Sequence, residues 1–272
     1  MRRDMTKAFI VALAAFMLTA CNGGAANTGN NSNAFMADMA STGSKSNAKT
    51  TVVRKLGYFH SIDVSVPCDV YFTQGKTSRV RIVGRAEDIE KLKFTTDAKG
   101  RLSITGKRLS NNIFNFASCK ELKIYLTSVD LVGVNMLGAG DFKTLSAIDT
   151  DNLTITMSGA GDIDFDKPVV CDNFSVALRG AGDAEFKSVE ALNANVELFG
   201  TGDIDVKLRK VVHSDVSLKG TGDVKVSFDR CGAATCTLYG TGDIELKGSV
   251  RSIMHKKRGT GDIDMKELNV RK

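Results

Sequence analysis

The sequence predicts an all-β solenoid, and three observations predict it. The four-residue motif Gly138-Ala139-Gly140-Asp141 recurs, with later copies starting at Gly159, Gly180, Gly200, Gly220, Gly240 and Gly259. Successive copies stand 21, 21, 20, 20, 20 and 19 residues apart, a near-constant period of the kind produced by coils stacking on their neighbours. On both sides of each copy apolar residues alternate with polar ones, the period-2 pattern of half-buried strands.

Aligned on the first glycine, the copies form inward rows. Four residues before it stand Val134, Ile155, Val176, Val196, Val216, Cys236 and His255, and two before it Met136, Met157, Leu178, Leu198, Leu218, Leu238 and Lys257. The residue after the aspartate is Phe142, Ile163, Ala184, Ile204, Val224, Ile244 or Ile263, and two further stands Thr144, Phe165, Phe186, Val206, Val226, Leu246 or Met265. Parity continues through the motif, so both glycines face inward while Ala/Thr and Asp face out. One strand therefore bends at the glycines, which have no Cβ to collide inside the corner. His255 and Lys257 break the inward rows of the last coil, where charge discourages another chain from pairing onto the open edge.

Read in order, residues 1–20 form a targeting segment. A short basic region (Met1 to Lys7) precedes an apolar run from Ala8 to Leu18, too short to span a bilayer stably. Leu18-Thr19-Ala20-Cys21 resembles a bacterial lipobox, whose cysteine is acylated and becomes the mature N-terminus. The expected localisation is exported and membrane-anchored through Cys21, and Asn22 in place of aspartate favours the outer membrane. Residues 21–50 are rich in Asn, Gly, Ser, Ala and Thr and read as a flexible tether. Residues 51–130 are β-rich but irregular, with a short helix or turn from Ala86 to Leu92 and an apolar-tipped loop from Asn111 to Ala117, expected to tuck into the core. The repeats occupy residues 131–272.

Composition is that of a domain with a core: 42% hydrophobic and 25% charged, with Pro scarce and Trp absent. Of the formal charge of +6, Arg2, Arg3 and Lys7 against Asp4 put +2 in the leader. Along the repeats basic and acidic residues alternate, with no basic stripe, so no nucleic-acid partner is expected.

Several features could carry chemistry. The aspartate row (Asp141, Asp162, Asp183, Asp203, Asp223, Asp243, Asp262) would stand about 4.8 Å apart on stacked coils, so its charges need backbone donors, neighbouring threonine hydroxyls or a cation. Calcium on Asp183, Asp203, Asp223 and Asp243 is the sharper reading. However, calcium-binding β-rolls repeat Gly-Gly-x-Gly-x-Asp at nine residues, so hydrogen-bonded turn aspartates are expected and no cofactor is required. The row before each first glycine carries Arg179, Phe199, Lys219 and Tyr239, cations and aromatics suited to stacking on sugar rings or pairing with acidic glycans; its plainer role is an exposed strand face. A further row of mixed sign, Lys143, Asp164, Glu185, Asp205, Lys225, Glu245 and Asp264, reads as a solvated face.

Catalysis finds no support. Coils near 20 residues leave no length for groove walls, and His60, His213 and His255 sit in unrelated contexts. Beyond Cys21, an odd set remains (Cys68, Cys119, Cys171, Cys231, Cys236), so at least one is unpaired in the monomer. Cys171 and Cys231 share a repeat position but lie three coils apart, about 14 Å, beyond disulfide reach.

Phe59-His60-Ser61-Ile62-Asp63-Val64-Ser65-Val66-Pro67-Cys68-Asp69-Val70-Tyr71-Phe72-Thr73-Gln74-Gly75, then Gly100-Arg101-Leu102-Ser103-Ile104 and the serial Gly-x-Gly-Asp motifs, form an ordered set. It resembles the DUF2807 family, the putative auto-transporter adhesin, head GIN domain, over about residues 57–265. The resemblance implies a right-handed parallel β-helix on exported, often lipid-anchored bacterial proteins, and brings no catalytic residues. The expected function is a non-enzymatic, lipid-anchored envelope protein presenting a binding or adhesive face to a glycan or cell-surface protein. The alternatives are a carbohydrate-active β-helix enzyme of lyase or hydrolase type, and a purely structural envelope protein.

Overall fold

The structure, a computed structural model, describes residues 49–106 and 121–271. Cys21, the tether to residue 48, the loop from Asn111 to Ala117 and Cys119 lie outside the described residues. The chain opens with β1 (Lys49–Lys55), β2 (Ser61–Val64), β3 (Asp69–Gln74) and β4 (Arg79–Arg85). A one-turn helix α1 (Ala86–Ile89) follows where Glu87 and Asp88 favour a helix start, then β5 (Leu92–Thr96), β6 (Arg101–Gly106) and β7 (Lys123–Ser128). Asp88 of α1 is buried and held by Arg85 at 2.7 Å and Lys91 at 3.0 Å, so a charge that burial would penalise is offset by two partners.

From residue 133 the coils become regular. The strands before each corner are β8 (Gly133–Met136), β11 (Asn152–Met157), β14 (Asn173–Leu178), β16 (Asn193–Leu198), β18 (His213–Leu218), β20 (Ala233–Leu238) and β22 (Ser252–Lys257). Those after it are β9 (Phe142–Thr144), β12 (Ile163–Phe165), β15 (Ala184–Glu190), β17 (Ile204–Arg209), β19 (Val224–Asp229), β21 (Ile244–Val250) and β23 (Ile263–Asp264). Short strands β10 (Ile148–Asp149) and β13 (Val169–Val170) begin a third side that later coils fuse into β15 and its successors, and β24 (Leu268–Val270) closes the chain. Each set pairs in parallel with the same set one coil on, so one sheet runs β22 to β8 and another β9 to β23. The predicted inward rows are buried from Val134 to Leu246, Thr144 among them, and line one core in which Phe142, Phe165 and Phe186 stack at 5.9 and 4.9 Å.

The corner explains the glycines, though the collision they avoid lies elsewhere than inside the bend. A Cβ on Gly159 would sit 1.8 Å from the carbonyl oxygen of Gly138 in the preceding coil, and one on Gly200 1.9 Å from that of Gly180. The corners stack backbone on backbone, and an unbroken row of parallel bridges from Ala139 through Thr201 to Thr260 joins them. The second glycine is also left-handed in several coils, with φ between 119° and 156° at Gly261, Gly242, Gly222, Gly182 and Gly161.

The irregular early stretch contains a coil that no Gly-x-Gly-Asp motif marks. β2 pairs in parallel with β8, Ile62 opposite Val134 and Val64 opposite Met136, while β3 pairs with β9, Val70 opposite Phe142. Val66-Pro67-Cys68-Asp69 therefore occupies the place of Gly138-Ala139-Gly140-Asp141, and a Cβ on Gly138 or Gly140 would strike the carbonyl of Val66 or Cys68. On the other side of this coil lie β6 and β7, parallel to β2 and β3. The chain thus passes from β7 over an already laid coil to reach β8. Antiparallel strands finish this end: β5 on β6 in one sheet, β4 on β7 and β1 on β4 in the other.

Between two of the coils the register shifts and is then recovered. Between Phe186 and Val189, β15 spends two residues where β17 spends one, and the later coils recover the residue just before β18 and β20. Lys210 and Arg230 make that recovery in the left-handed region, both at φ 54°, a conformation costing a side-chain-bearing residue roughly 1–2 kcal/mol. At the far end His255 and Lys257 pair with Cys236 and Leu238 as the inward register requires. Both are exposed there, on the edge strand of this sheet among the described residues.

Candidate binding surfaces of the solenoid

The aspartate row forms a continuous ladder. Asp141 Oδ1 accepts the backbone N–H of Asp162 at 3.1 Å, and the same bond recurs from Asp183 to Asp162, Asp203 to Asp183, Asp223 to Asp203, Asp243 to Asp223 and Asp262 to Asp243, at 2.7–3.0 Å. From Asp141 to Asp243, one oxygen of every carboxylate is thus committed to the next coil, through the backbone donors expected at the bend. Asp69 holds the same corner position in the early coil, because Val70 after it lies opposite Phe142. With Val66 and Cys68 in place of the two glycines, the sequence around Asp69 does not display the motif. Among the described residues no group of three or more His, Cys, Asp or Glu side chains is arranged to hold a metal ion.

The row before the corner also stands together. The Arg179 guanidinium lies 4.2 Å from the centre of the Phe199 ring, and the Lys219 ammonium 4.6 Å from it. Arg179 comes from the coil before Phe199 and Lys219 from the coil after, so cations flank the ring and hold it as a stack. Lys219 also reaches Glu197 at 3.5 Å. Tyr239, next in the row, is 44% exposed, and Leu137 at its other end 50%.

On the outer face of the other sheet, the row of mixed sign forms ion pairs. Lys143 bridges Asp164 at 2.5 Å and Asp166 at 2.6 Å, and Lys187 reaches Asp166 at 2.5 Å. Hydrogen bonds from Lys143 and then Lys187 hold the Asp166 carboxyl well below the usual carboxylate range. Toward the early coils this row continues into aromatics, with Tyr71 opposite Lys143. Tyr71 stacks on Tyr125 at 4.9 Å, and the Arg81 guanidinium lies 3.7 Å from the Tyr125 ring centre. A ladder of side-chain amides, Asn173 to Asn152 at 2.8 Å and Asn193 to Asn173 at 2.9 Å, ties together the first residues of β11, β14 and β16. The sequence signal for this ladder was present, as residues of one kind recurring at the coil period.

The described cysteines are interior. Cys68, Cys171, Cys231 and Cys236 are buried, and burial pushes Cys171 up to about 11 and Cys236 up to about 12. Burial likewise raises Cys231, so Cys171, Cys231 and Cys236 are packing residues, not nucleophiles poised at neutral pH. His60 packs beside Ser61 and Tyr58, His213 lies at the start of β18 and His255 on the terminal strand, so the histidines remain apart. Among the described residues no helix is long and apolar enough to cross a membrane.

Fold and surfaces together define a β-solenoid whose side chains of interest lie in rows along its flanks. The chain belongs to the DUF2807 family, described as "Putative auto-transporter adhesin, head GIN domain", whose model matches residues 58–230. Among solved structures it is similar to a putative adhesin from Bacteroides fragilis NCTC 9343, with 26% identity and a TM-score of 0.72 over 80% of this chain and 97% of that one. A putative adhesin from Parabacteroides merdae ATCC 43184 shares the fold at 15% identity and a TM-score of 0.59, covering 82% and 96%. A putative lipid binding protein from Parabacteroides distasonis ATCC 8503 does so at 19% identity and 0.56, covering 82% and 97%. No protein of curated function matches the chain.

Proposed function

We propose that the protein is a non-enzymatic, lipid-anchored envelope protein, exported and held through Cys21, that presents the flanks of its solenoid as a binding or adhesive surface. The observation that carries this reading is the in-register stacking of outward-facing side chains at one coil spacing, seen where the exposed Arg179 and Lys219 flank the half-buried Phe199. A regular array of this kind gives a rigid partner-facing surface whose side chains lose little freedom on binding. Membership of a family described as adhesins supports the same reading. So does the leader, whose Leu18-Thr19-Ala20-Cys21 supplies an acylation site ahead of a polar tether.

The anchor and the surface are tested together. Cys21→Ser should lose labelling by a clickable fatty acid and leave the membrane fraction. Cells displaying the wild-type protein should adhere to a glycan- or protein-coated surface better than cells lacking it. Unchanged labelling and retention would remove the anchor, and equal adhesion would remove the adhesive role. Release of new reducing ends or unsaturated products from polysaccharides by purified protein would instead make it an enzyme.

A further inference from the structure

A hollow in the last coils is lined by basic side chains. Residues 131–272 carry 21 acidic and 18 basic residues, close to balance, so a hollow lined by several cations and no carboxylate is a local concentration of charge. The hollow lies at the turn from the second sheet back to the first in the last coils, is open on one side, and has a volume of about 200 Å³. Lys210, His213, Arg230, Arg251 and Arg271 line it. The carboxylates bonded to this set are Glu190, on Lys210 at 3.1 Å, and Asp229, on Arg230 at 3.1 Å. Among the described residues no ion pair engages Arg251 or Arg271, and Arg271 gives one donor to the carbonyl of Cys231 at 3.0 Å.

The backbone is arranged around these side chains. Lys210 and Arg230 occupy equivalent places on successive coils, and both are left-handed at φ 54°. Glycine or asparagine would take that conformation with less strain, yet two long cations stand there and line the same hollow. In the next column Val212, Gly232 and Arg251 follow one another. A Cβ on Gly232 would strike the carbonyl of Val212, so no side chain stands between Val212 and Arg251. Val212, 44% exposed, adds an apolar wall.

We propose that this hollow binds the carboxylate or sulfate groups of an acidic glycan, an assignment that rests on the reading of the flank as a ligand-presenting surface. Guanidinium groups pair with such oxyanions through parallel N–H donors, and Val212 offers a C–H surface for the sugar ring beside them. The recessed shape admits a residue of a polymer, whereas a bilayer meets only what protrudes.

The test is binding of fluorescently labelled chondroitin sulfate to purified protein at about 150 mM salt, where long-range attraction is largely screened. The same polymer, desulfated and carboxyl-reduced, serves as the neutral comparison. A Lys210→Asn, Arg230→Asn, Arg251→Gln variant removes three charges, with asparagine at both left-handed positions to spare the fold. A Lys187→Gln, Lys225→Gln, Lys247→Gln variant removes as many elsewhere. The wild type should bind the charged polymer and not the neutral one, and the hollow variant should bind about tenfold more weakly with an unchanged melting temperature, the second variant staying near wild type. Equal weakening in both variants, no weakening in either, or hollow-dependent binding to vesicles of anionic phospholipid without glycan binding would overturn the assignment. Cells carrying the hollow variant that adhere as well as wild type would sink the site yet leave the adhesive flank standing. Cells lacking the protein that adhere equally would sink the adhesive reading, and this assignment with it.

Discussion

At the scale of single residues, the corner aspartates show how a charged row can be structural. From Asp141 to Asp243 each Oδ1 accepts an N–H from the next coil, so repulsion between neighbouring carboxylates is offset by a hydrogen bond at every step. Asparagine keeps that acceptor and drops the charge. Asp203→Asn should therefore change stability by no more than about 0.5 kcal/mol, while Asp203→Ala, which strands the Asp223 N–H, should cost about 1 kcal/mol. Urea titrations in EDTA and in calcium measure both. A calcium-dependent rise in melting temperature that Asp203→Asn abolishes would turn the ladder into a cation site.

At the scale of the strand, alternation separates neighbours of opposite consequence. Leu218 is fully buried in β18 between Leu198 and Leu238, and Lys219, one residue on, lies outside over Phe199. Leu218→Asp removes a core side chain and buries a charge without a partner, and should destabilise by about 4 kcal/mol or more. Lys219→Asp loses an exposed cation–π contact and an exposed ion pair, together under about 1 kcal/mol. Equal shifts of the urea midpoint would mean the inward and outward rows had been exchanged. Here the sequence was fully legible, since a strand of period 2 cannot bury one row without exposing the other.

At the scale of the molecule, the order of coils in space differs from their order in the chain. β2 and β3 lie between β6–β7 and β8–β9, so the first regular coil rests on a segment separated from it in the chain by β4 to β7. The entropy of closing so long a loop grows only slowly with its length, so the detour is tolerated. A chain beginning at residue 131 keeps every Gly-x-Gly-Asp motif but loses the partners of Val134, Met136 and Phe142. It should be aggregation-prone, eluting ahead of its monomer volume in size-exclusion chromatography, because it presents an open sheet edge over a bared core. A monomeric, cooperatively melting fragment would show instead that the repeats fold without the early coil.

The sequence by itself determined the coil, its period and the two faces of its strands, because glycine spacing and apolar alternation are local and repeat in every copy. It also contained the early coil, in Ile62, Val64, Val70 and Phe72 at the repeat's own offsets, but Val66 and Cys68 stand where the later coils carry glycines. What only the tertiary structure decided is which coils touch: that β7 leads over β3 to β8, that corner carbonyls exclude any Cβ, and that Lys210, Arg230, Arg251 and Arg271 share one hollow. Those contacts join residues about one coil or more apart. They are fixed by the packing of whole coils, which no local pattern records.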